Sequence, residues 1–340
     1  MQKSQAIDAE LFEKWVTNNE KSQKLYELIG TGAMDGYITH DNFWAIYQKL
    51  YTKYPKFISK PIVFGKTYKG VPMKNFKVGM NINDQKRNKR HEVLFTALHH
   101  SREPTSLSML TAVFLSTVQM LQSGNIKAKR LFKNIDIQFI PVVNVDGFNE
   151  INKNYFKNKD PWAKARLRRK NLNVTNCANP FDAGVDINRN YPYKWGFNNQ
   201  GSCTDPCRDD YRGPSPASEP ETKSMMNFIK TNPFIKSAIN FHSYGDLWIF
   251  PNNWDPDANN KIFKKQQPTM YNSYMDFMKS CPHQKLSEFG NAQGVIKYQA
   301  NGEASDWMLN EHQIMAFSPE IGNDNKAASD HFYLTKANIP

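Results

Sequence analysis

The sequence predicts an α/β fold in three layers, in which helices cover both faces of a central mixed sheet. Residues 93–98 and 237–241 are short apolar runs typical of buried strands, and residues 107–121 form an amphipathic stretch typical of a helix. Strands that alternate with helices in this way favour a layered α/β architecture. The chain has 340 residues, of which 39% are apolar, and is long enough to bury a substantial core.

The other elements are predicted from apolar spacing and from residues that end helices. Residues 8–29 have apolar side chains at helical spacing up to a glycine, which predicts an N-terminal helix ahead of the main domain. Residues 41–54 predict a second helix that begins at an Asp41 cap and stops before a proline. Residues 135–145 predict a further strand region, interrupted by Pro141. In such sheets the functional groups lie where strands end and loops begin.

The composition is basic, with 44 Lys and Arg against 32 Asp and Glu and a formal net charge of +12. A nucleic-acid-binding protein would concentrate this excess in one stripe, whereas these basic residues are scattered apart from residues 164–170. The charge therefore predicts a basic, soluble surface and no nucleic-acid partner. The sequence has no run of 18 apolar residues that would span a membrane, and its first residues do not resemble a signal peptide.

Four cysteines bear on the redox compartment: Cys177, Cys203, Cys207 and Cys281. Three residues separate Cys203 from Cys207, whereas zinc knuckles usually have two between their cysteines. An even number of cysteines, three of them clustered, favours disulfides and an oxidising compartment. Four free thiols are the alternative.

Two histidines and a glutamate are candidate metal ligands. His100 and Glu103 come directly after the predicted strand at 93–98, and His242 comes directly after the strand at 237–241. Imidazole and carboxylate are suitable zinc ligands, and a catalytic zinc has three protein ligands and one open position. A His-x-x-Glu spacing is common by chance, and a lone histidine after a strand is usually structural, so these residues gain weight only as a set.

Two further segments have side chains suited to binding and catalysis. Arg189 lies between Asn188 and Asn190, and its guanidinium is a fork of donors that matches a carboxylate. The alternative for this segment is a polar turn. Glu320 lies in an otherwise apolar, strand-like segment, where burial would raise the pKa of its carboxyl toward neutrality, as a general base requires.

Together and in this order, the motifs resemble those of zinc metallocarboxypeptidases of the pancreatic carboxypeptidase A and B type. The resemblance extends from about Tyr37 to the C-terminus and rests on residues 62–70, 99–104, 144–147, 184–191, 211–222 and 317–322. Val145 is a departure, because the family has proline there. The resemblance implies a carboxypeptidase-like mixed sheet of about eight strands, one zinc ion per chain, and hydrolysis of the C-terminal peptide bond.

The resemblance also implies a role for each matched residue. The three candidate ligands would bind zinc, with His100 rather than His99 as the first of them, and Asp186 would orient a ligand imidazole. Glu320 would be the general base, and Arg169 would polarise the scissile carbonyl group.

Further residues are implied to bind substrate. Asn188 and Arg189 match the pair that holds the terminal carboxylate, and Tyr298 matches the tyrosine that closes over it. Arg102 matches a secondary arginine that contacts anions, and Tyr244, just after the third ligand, also belongs to this group.

The preference for the C-terminal residue depends, in this family, on the position before Asp306. An apolar residue there accompanies apolar preference, and an acidic one accompanies preference for Lys or Arg. Ser305 occupies the position and is neither, but Glu303 would bring a carboxylate to the same pocket wall. We therefore predict basic or mixed specificity with Asp and Glu ends refused. A solvent-facing Glu303 is the alternative.

The resemblance divides the chain into residues 1–34, a tail or the remnant of a pro-segment, and residues 35–340, the catalytic domain. The family has a further helix beyond the segment matching residues 331–340, so a shortened C-terminus is expected. The disulfides of the family that the sequence resembles imply that Cys177 pairs with Cys203 or Cys207. Cys281 would then pair with the remaining cysteine.

The implied partners are peptides or proteins with a free C-terminus, and the implied state is a monomer. A secreted, vesicular or lysosomal location is favoured over a cytosolic one. Rival functions on the same fold are an aspartoacylase-like amidohydrolase and a deglutamylating carboxypeptidase. A basic nucleic-acid-binding protein is the rival from another class.

Overall fold

A mixed sheet of eight strands forms the centre of the protein. The computed structural model describes residues 32–84, 89–124, 126–157, 165–280, 288–322 and 332–333. Three expectations concern residues outside these ranges: the N-terminal helix at residues 8–29, the pairing of Cys281, and the shortened C-terminus.

The strands are β1 (Ile62–Lys66), β2 (Pro72–Val78), β3 (His91–Ala97), β4 (Ile135–Ile140), β5 (Ile235–Phe241), β6 (Leu247–Ile249), β7 (Glu288–Gly290) and β8 (Met315–Glu320). They lie in the order β1-β2-β4-β3-β5-β8-β6-β7. Strands β4, β3, β5 and β8 run parallel to one another, whereas β2 and β6 pair antiparallel with β4 and β8. The predicted mixed sheet is confirmed.

The helices are α1 (His40–Lys53), α2 (Pro104–Gln122), α3 (Ile126–Phe132), α4 (Val145–Lys157), α5 (Pro220–Thr231), α6 (Lys261–Gln266), α7 (Pro268–Ser280), α8 (Ala292–Val295) and α9 (Ala304–His312). A short 3-10 helix lies at Ile187–Arg189.

Aromatic side chains join one face of the sheet to α1, α2 and α7. Phe114 of α2 contacts Phe76 of β2 at a ring distance of 4.9 Å, and Phe76 stacks on Phe139 of β4 at 5.2 Å. Tyr274 of α7 contacts Phe317 of β8 at 4.8 Å on the same face. Burial of such rings supplies much of the hydrophobic stabilisation of a core.

The opposite face carries α5 and α9. Thr96 of β3 donates a hydrogen bond to Asn240 of β5 at 2.8 Å, and the Asn240 amide lies 3.9 Å from the sulfur of Met308 in α9. Gln138 of β4 donates to Asn232, at the end of α5. Because side chains alternate between the two faces of a strand, these contacts and the aromatic ones lie on opposite sides. The protein is therefore a three-layer α/β/α structure.

Helix α1 confirms the predicted helix at 41–54 but has a different cap. Thr39 accepts a hydrogen bond from the backbone N–H of Asn42, and the Asn42 side chain accepts one from the backbone N–H of Thr39. This reciprocal arrangement satisfies two backbone donors at the start of the helix. Asp41, the predicted cap, is instead in the first turn.

The strand region predicted at 135–145 is longer than the strand that the structure contains there. Strand β4 ends at Ile140, because Pro141 has no N–H to continue the ladder, and Val145 begins α4. Helix α2 begins earlier than predicted, with Pro104 in the first turn, where its missing N–H costs nothing. The helix is long and apolar enough to cross a membrane, but 72% of its apolar 18-residue stretch is buried in the protein, as in a core helix.

Cys177 and Cys207 form a disulfide, with their Cα atoms 5.4 Å apart. This pairing was one of the two expected for Cys177. Cys203 has a buried free thiol, so the expected second bridge from Cys203 is wrong. Its main chain pairs with Asp210 and Arg212, and its sulfur lies 3.5 Å from the Asp205 carbonyl.

Candidate active site

Three parallel neighbours, β3, β5 and β8, bring the candidate residues to one edge of the sheet. His100 follows β3, His242 follows β5, and Glu320 is the last residue of β8. The backbone N–H of His242 donates to the carbonyl of Pro319 at 2.9 Å, which fixes the ends of β5 and β8 side by side. The carboxyl ends of parallel strands are where α/β sheets bind ligands.

The ligand set, which we define as His100, Glu103 and His242, is buried and converges on one point. Nδ1 of His100 lies 2.7 Å from one oxygen of Glu103, and Nδ1 of His242 lies 3.0 Å from the other. The two Nδ1 atoms are 3.2 Å apart. Two imidazole nitrogens and a carboxylate that face one another in this way fit a zinc ion. His99 instead contacts the Tyr191 hydroxyl at 3.2 Å, outside the set.

The surroundings of Glu103 and His100 favour the forms that bind metals, whereas at His242 burial lowers the pKa but the charge of Glu103 outweighs it and raises the pKa. Burial opposes ionisation of Glu103, but His100 and His242 outweigh it and lower the pKa of its carboxyl. Burial lowers the pKa of His100, which favours its neutral form. An ionised carboxylate and a neutral imidazole are the forms in which these side chains bind metals.

Asp186 lies behind the ligand set and contacts two candidate residues at once. One carboxylate oxygen is 3.3 Å from Nε2 of His100, and the other accepts a hydrogen bond from Nε of Arg169 at 2.8 Å. The first oxygen also accepts from the backbone N–H of Asn188. Burial opposes ionisation of Asp186, but the charge of Arg169 outweighs it, and the pKa of Asp186 is well below its usual value.

Glu320 has the raised pKa that the sequence led us to expect. Burial and the charge of Glu103 together raise the pKa of Glu320 to about 8, against the opposing charges of His242, Arg169 and Arg189. A cation bound by the ligand set would lower this pKa.

Arg189 is fixed by main-chain acceptors. Its Nε donates to the Gly201 carbonyl at 2.6 Å, and its Nη1 donates to the Asn188 carbonyl at 2.8 Å. The Asn188 side-chain oxygen accepts from the backbone N–H of Ala304, at the start of α9. The guanidinium is thus held in one orientation at the cavity, which favours recognition of a carboxylate.

One cavity brings together most of the predicted residues. Those that line it are His100, Arg169, Asn188, Arg189, His242, Tyr298, Glu303 and Glu320. The side chain of Tyr298 is 47% exposed, as expected of a residue at the mouth. Asp186 and Glu103 lie directly behind this lining.

Three predicted substrate-binding residues are not in the cavity lining. Arg102 donates to the Asp209 carboxylate at 2.7 Å and lies 4.5 Å from the centre of the Phe332 ring. Tyr244 contacts the same ring edge to face at 5.0 Å. Ser305 is buried behind Glu303 and donates its hydroxyl hydrogen to that carboxylate.

Glu303 is 3% exposed, so the alternative that it faces solvent is wrong. It is the N-cap of α9 and accepts hydrogen bonds from the backbone N–H groups of Ser305 and Asp306. A carboxylate at this position is stabilised by the helix dipole.

Sequence reasoning missed six lining residues: Ile249, Asn253, Ala292, Ile296, Ala300 and Ser318. Ser318 had a signal, because it lies two residues before Glu320 in a strand and therefore points to the same side. Asn253 lies in a segment without periodicity after β6, and nothing local in the sequence indicates that it faces the site.

Comparison with known proteins gives a family match. The family model described as zinc carboxypeptidase matches residues 44–340. The chain is 32% identical to mast cell carboxypeptidase A of Homo sapiens over 206 residues, which cover 60% of this chain and 44% of that protein. It is 28% identical to carboxypeptidase A1 of Sus scrofa over 286 residues, covering 84% of this chain and 62% of that protein.

A solved structure shares the fold. The crystal structure of thrombin activatable fibrinolysis inhibitor has a TM-score of 0.70 and 21% identity, covering 98% of this chain and 76% of that one. The chain spans about half the length of the first curated relatives that it matches.

Proposed function

We propose, from the premise that this chain belongs to the zinc carboxypeptidase family, that it is a zinc-dependent exopeptidase acting on the C-terminal peptide bond of peptides and proteins. The observation that carries the proposal is the shared cavity, which joins the ligand set to Glu320, Arg169 and Arg189. A metal site, a general base and a carboxylate anchor are the three parts that such a reaction needs.

The ligand set would hold one zinc ion per chain. When bound, zinc lowers the pKa of a water molecule and polarises the carbonyl group of the substrate. Asp186 would keep the His100 imidazole in the orientation required for binding.

Glu320 is the proposed general base. It would accept a proton as water attacks the scissile carbonyl carbon, and then pass that proton to the leaving amine. Arg169 is held through Nε by Asp186, which leaves its Nη groups to donate to the carbonyl oxygen as negative charge develops there.

Arg189 and Asn188 are the proposed anchor for the terminal carboxylate, and Tyr298 would cover the bound residue. An internal peptide bond has no carboxylate to offer a fixed guanidinium, which accounts for terminal cleavage. Arg102 is proposed as a secondary arginine that contacts anions and Tyr244 as a further substrate-binding residue, although both lie outside the cavity lining.

Glu303 is the proposed determinant of basic or mixed specificity. Its carboxylate is buried in the cavity wall, and all the hydrogen-bond donors described around it are neutral. A buried negative charge without a countercharge attracts a cationic side chain and repels an acidic one. Lys or Arg ends would be cleaved well, and Asp or Glu ends refused.

The proposed setting is outside the cytosol. The disulfide between Cys177 and Cys207 supports a secreted, vesicular or lysosomal location. We also propose that the protein acts as a monomer. Residues 35–340 would form the catalytic domain, and residues 1–34 a tail or pro-segment remnant.

The test measures zinc and turnover in the same samples. Wild-type protein should contain one zinc per chain, lose activity with a chelator and recover it with added zinc. Glu320→Gln should keep the zinc and lose nearly all turnover, and Arg169→Ala should lower kcat by about 10²–10³. Glu311→Gln, at an exposed position, is the matched control. Near-normal turnover by Glu320→Gln would overturn the proposal.

A further inference from the structure

One oxygen of the Glu303 carboxylate already accepts hydrogen bonds from several groups within the protein. Oε2 accepts from the backbone N–H of Ser305 at 2.8 Å, from the Ser305 hydroxyl, from the backbone N–H of Asp306 at 3.2 Å and from the Asn253 amide at 3.2 Å. Four donors exceed the lone pairs of one carboxylate oxygen. Oε2 therefore has no capacity left for a ligand.

The other oxygen of Glu303 keeps some of its capacity. Oε1 accepts a hydrogen bond from the Ser318 hydroxyl at 2.8 Å, and the Asn188 amide nitrogen lies at the long distance of 3.5 Å. Both Glu303 and Ser318 line the cavity. Oε1 is therefore the one carboxylate oxygen of Glu303 that a donor in the cavity can reach.

The neighbouring amide oxygens are also engaged. The side-chain oxygen of Asn253 accepts from the backbone N–H of Ala292 at 2.9 Å, and that of Asn188 accepts from the backbone N–H of Ala304 at 3.1 Å. Among the residues that the structure describes, no cationic side chain forms an ion pair with Glu303. This wall of the cavity thus offers a full negative charge but few free acceptors.

A guanidinium and an ammonium group require different numbers and arrangements of hydrogen-bond acceptors in this part of the cavity. The guanidinium carries five N–H donors in a planar fork and binds a carboxylate best through both of its oxygens. With one oxygen closed, several of these donors would be buried without a partner, which is costly. An ammonium group is a compact point charge with three donors, and it can approach a single oxygen and the Ser318 hydroxyl together.

We infer that this pocket selects lysine over arginine among basic C-terminal residues, because the Ser305 hydroxyl, the backbone N–H groups at the start of α9 and the Asn253 amide together close the second oxygen of Glu303. The inference rests on the proposed function, in which this cavity receives the side chain of the residue to be removed. It also gives a role to Ser305, which does not line the cavity but orients the carboxylate that does.

The experiment uses three blocked dipeptides that differ only in the last residue: lysine, arginine and norleucine, a neutral analogue of lysine. The expected ratio of kcat/KM for Lys over Arg is on the order of tenfold, as for one strong hydrogen bond. Ser318→Ala should lower this Lys-to-Arg ratio several-fold by removing the hydroxyl that the ammonium group uses as its second acceptor beside Oε1. Ser273→Ala, in which the lost hydroxyl contacts only its own helix, should leave the ratio unchanged.

Glu303→Gln shows which hypothesis has failed: the selection of lysine over arginine, or the proposed basic specificity itself. If Arg is cleaved as well as Lys, while Glu303→Gln abolishes the preference of both over norleucine, lysine selection is wrong and basic specificity stands. If wild-type protein does not prefer Lys to norleucine and Glu303→Gln changes nothing, both are wrong. Melting temperatures of all variants show whether each one folds.

Discussion

Gly201 lies so close to Gln299 that a Cβ atom on Gly201 would be 1.6 Å from the main-chain oxygen of Gln299. The carbonyl of Gly201 accepts the hydrogen bond from Nε of Arg189, and Gln299 is the neighbour of Tyr298. Asn198 adds a side-chain hydrogen bond to Gln299 at 2.8 Å. The loop that positions the proposed anchor and the loop that carries the proposed covering tyrosine are therefore in direct contact.

Gly201→Ala should impair substrate binding. Gly201 has a φ of +66°, and the new methyl group would also separate the two loops, moving the acceptor of Arg189. We expect KM to rise on the order of tenfold and kcat to fall less, because displaced positioning groups are costly. Steady-state kinetics with a blocked dipeptide provide the measurement.

Gly70→Ala is the control for the conformational cost alone. Gly70 has a φ of +79°, but no atom lies within 4 Å of a Cβ built on it. Its expected effect is a loss of about 1 kcal/mol in the free energy of unfolding, with unchanged KM. Equal KM values for the two variants would contradict the coupling of the loops.

Asp186→Asn should weaken zinc binding. The substitution removes the negative charge that lies 3.3 Å from His100 and that holds Arg169. Loss of such a supporting group typically costs 10–100-fold in metal affinity. Competition with a chromogenic chelator measures the affinity directly. Asp209→Asn, at a side chain that is 58% exposed, is the control, and an Asp186→Asn protein with wild-type affinity would contradict the assigned position.

The ligand set could be predicted from the sequence because its members follow short apolar strands and because the motifs together resemble those of zinc metallocarboxypeptidases. The periodicity identified the strands that became β3 and β5, and parallel strands place their carboxyl ends together. Glu320 was found in the same way, as a carboxylate in an apolar strand. These are local signals combined with one general rule of sheet topology.

Contacts between distant loops could not be predicted in this way. Asp209 pairs with Arg102 across 107 positions of the chain, and Asn253 approaches Glu303 across 50. No periodic pattern in either loop indicates its partner, because the geometry depends on how the loops fold over the sheet edge. The contact of Arg102 with Asp209 is one such case, and the role of Arg102 in substrate binding stays a prediction.

Glu221 should make stability depend on pH. Burial and the charge of Asp146 together raise the pKa of Glu221 to about 7, against opposing hydrogen bonds from the backbone of Tyr68 and from the Asn171 side chain. A raised carboxyl pKa means that the folded protein keeps a proton which the unfolded chain releases. The contribution of Glu221 to the free energy of unfolding is therefore fully present below about pH 4.5. It is lost as the pH rises to about 7, which lowers the free energy of unfolding by about 3 kcal/mol.

Urea unfolding at pH 5 and pH 8 tests this effect, because Glu221→Gln has no carboxyl group to titrate. The loss of unfolding free energy between the two pH values should be smaller in Glu221→Gln than in the wild type by about 3 kcal/mol. Glu311→Gln should lose as much as the wild type, because its side chain is exposed. An equal pH dependence in all three proteins would show that Glu221 titrates normally.

The disulfide between Cys177 and Cys207 should stabilise the segment that carries the anchor. It closes a loop of sequence separation 30 that contains Asp186, Asn188 and Arg189, whereas the ligand set lies outside this loop. In the chain-entropy model a loop of this size is worth about 3–4 kcal/mol. The double variant Cys177→Ser/Cys207→Ser should lose about that much unfolding free energy and still bind zinc. Cys203→Ser is the control, since Cys203 is in no disulfide, and stability equal to wild type in the double variant would show that the bridge contributes nothing.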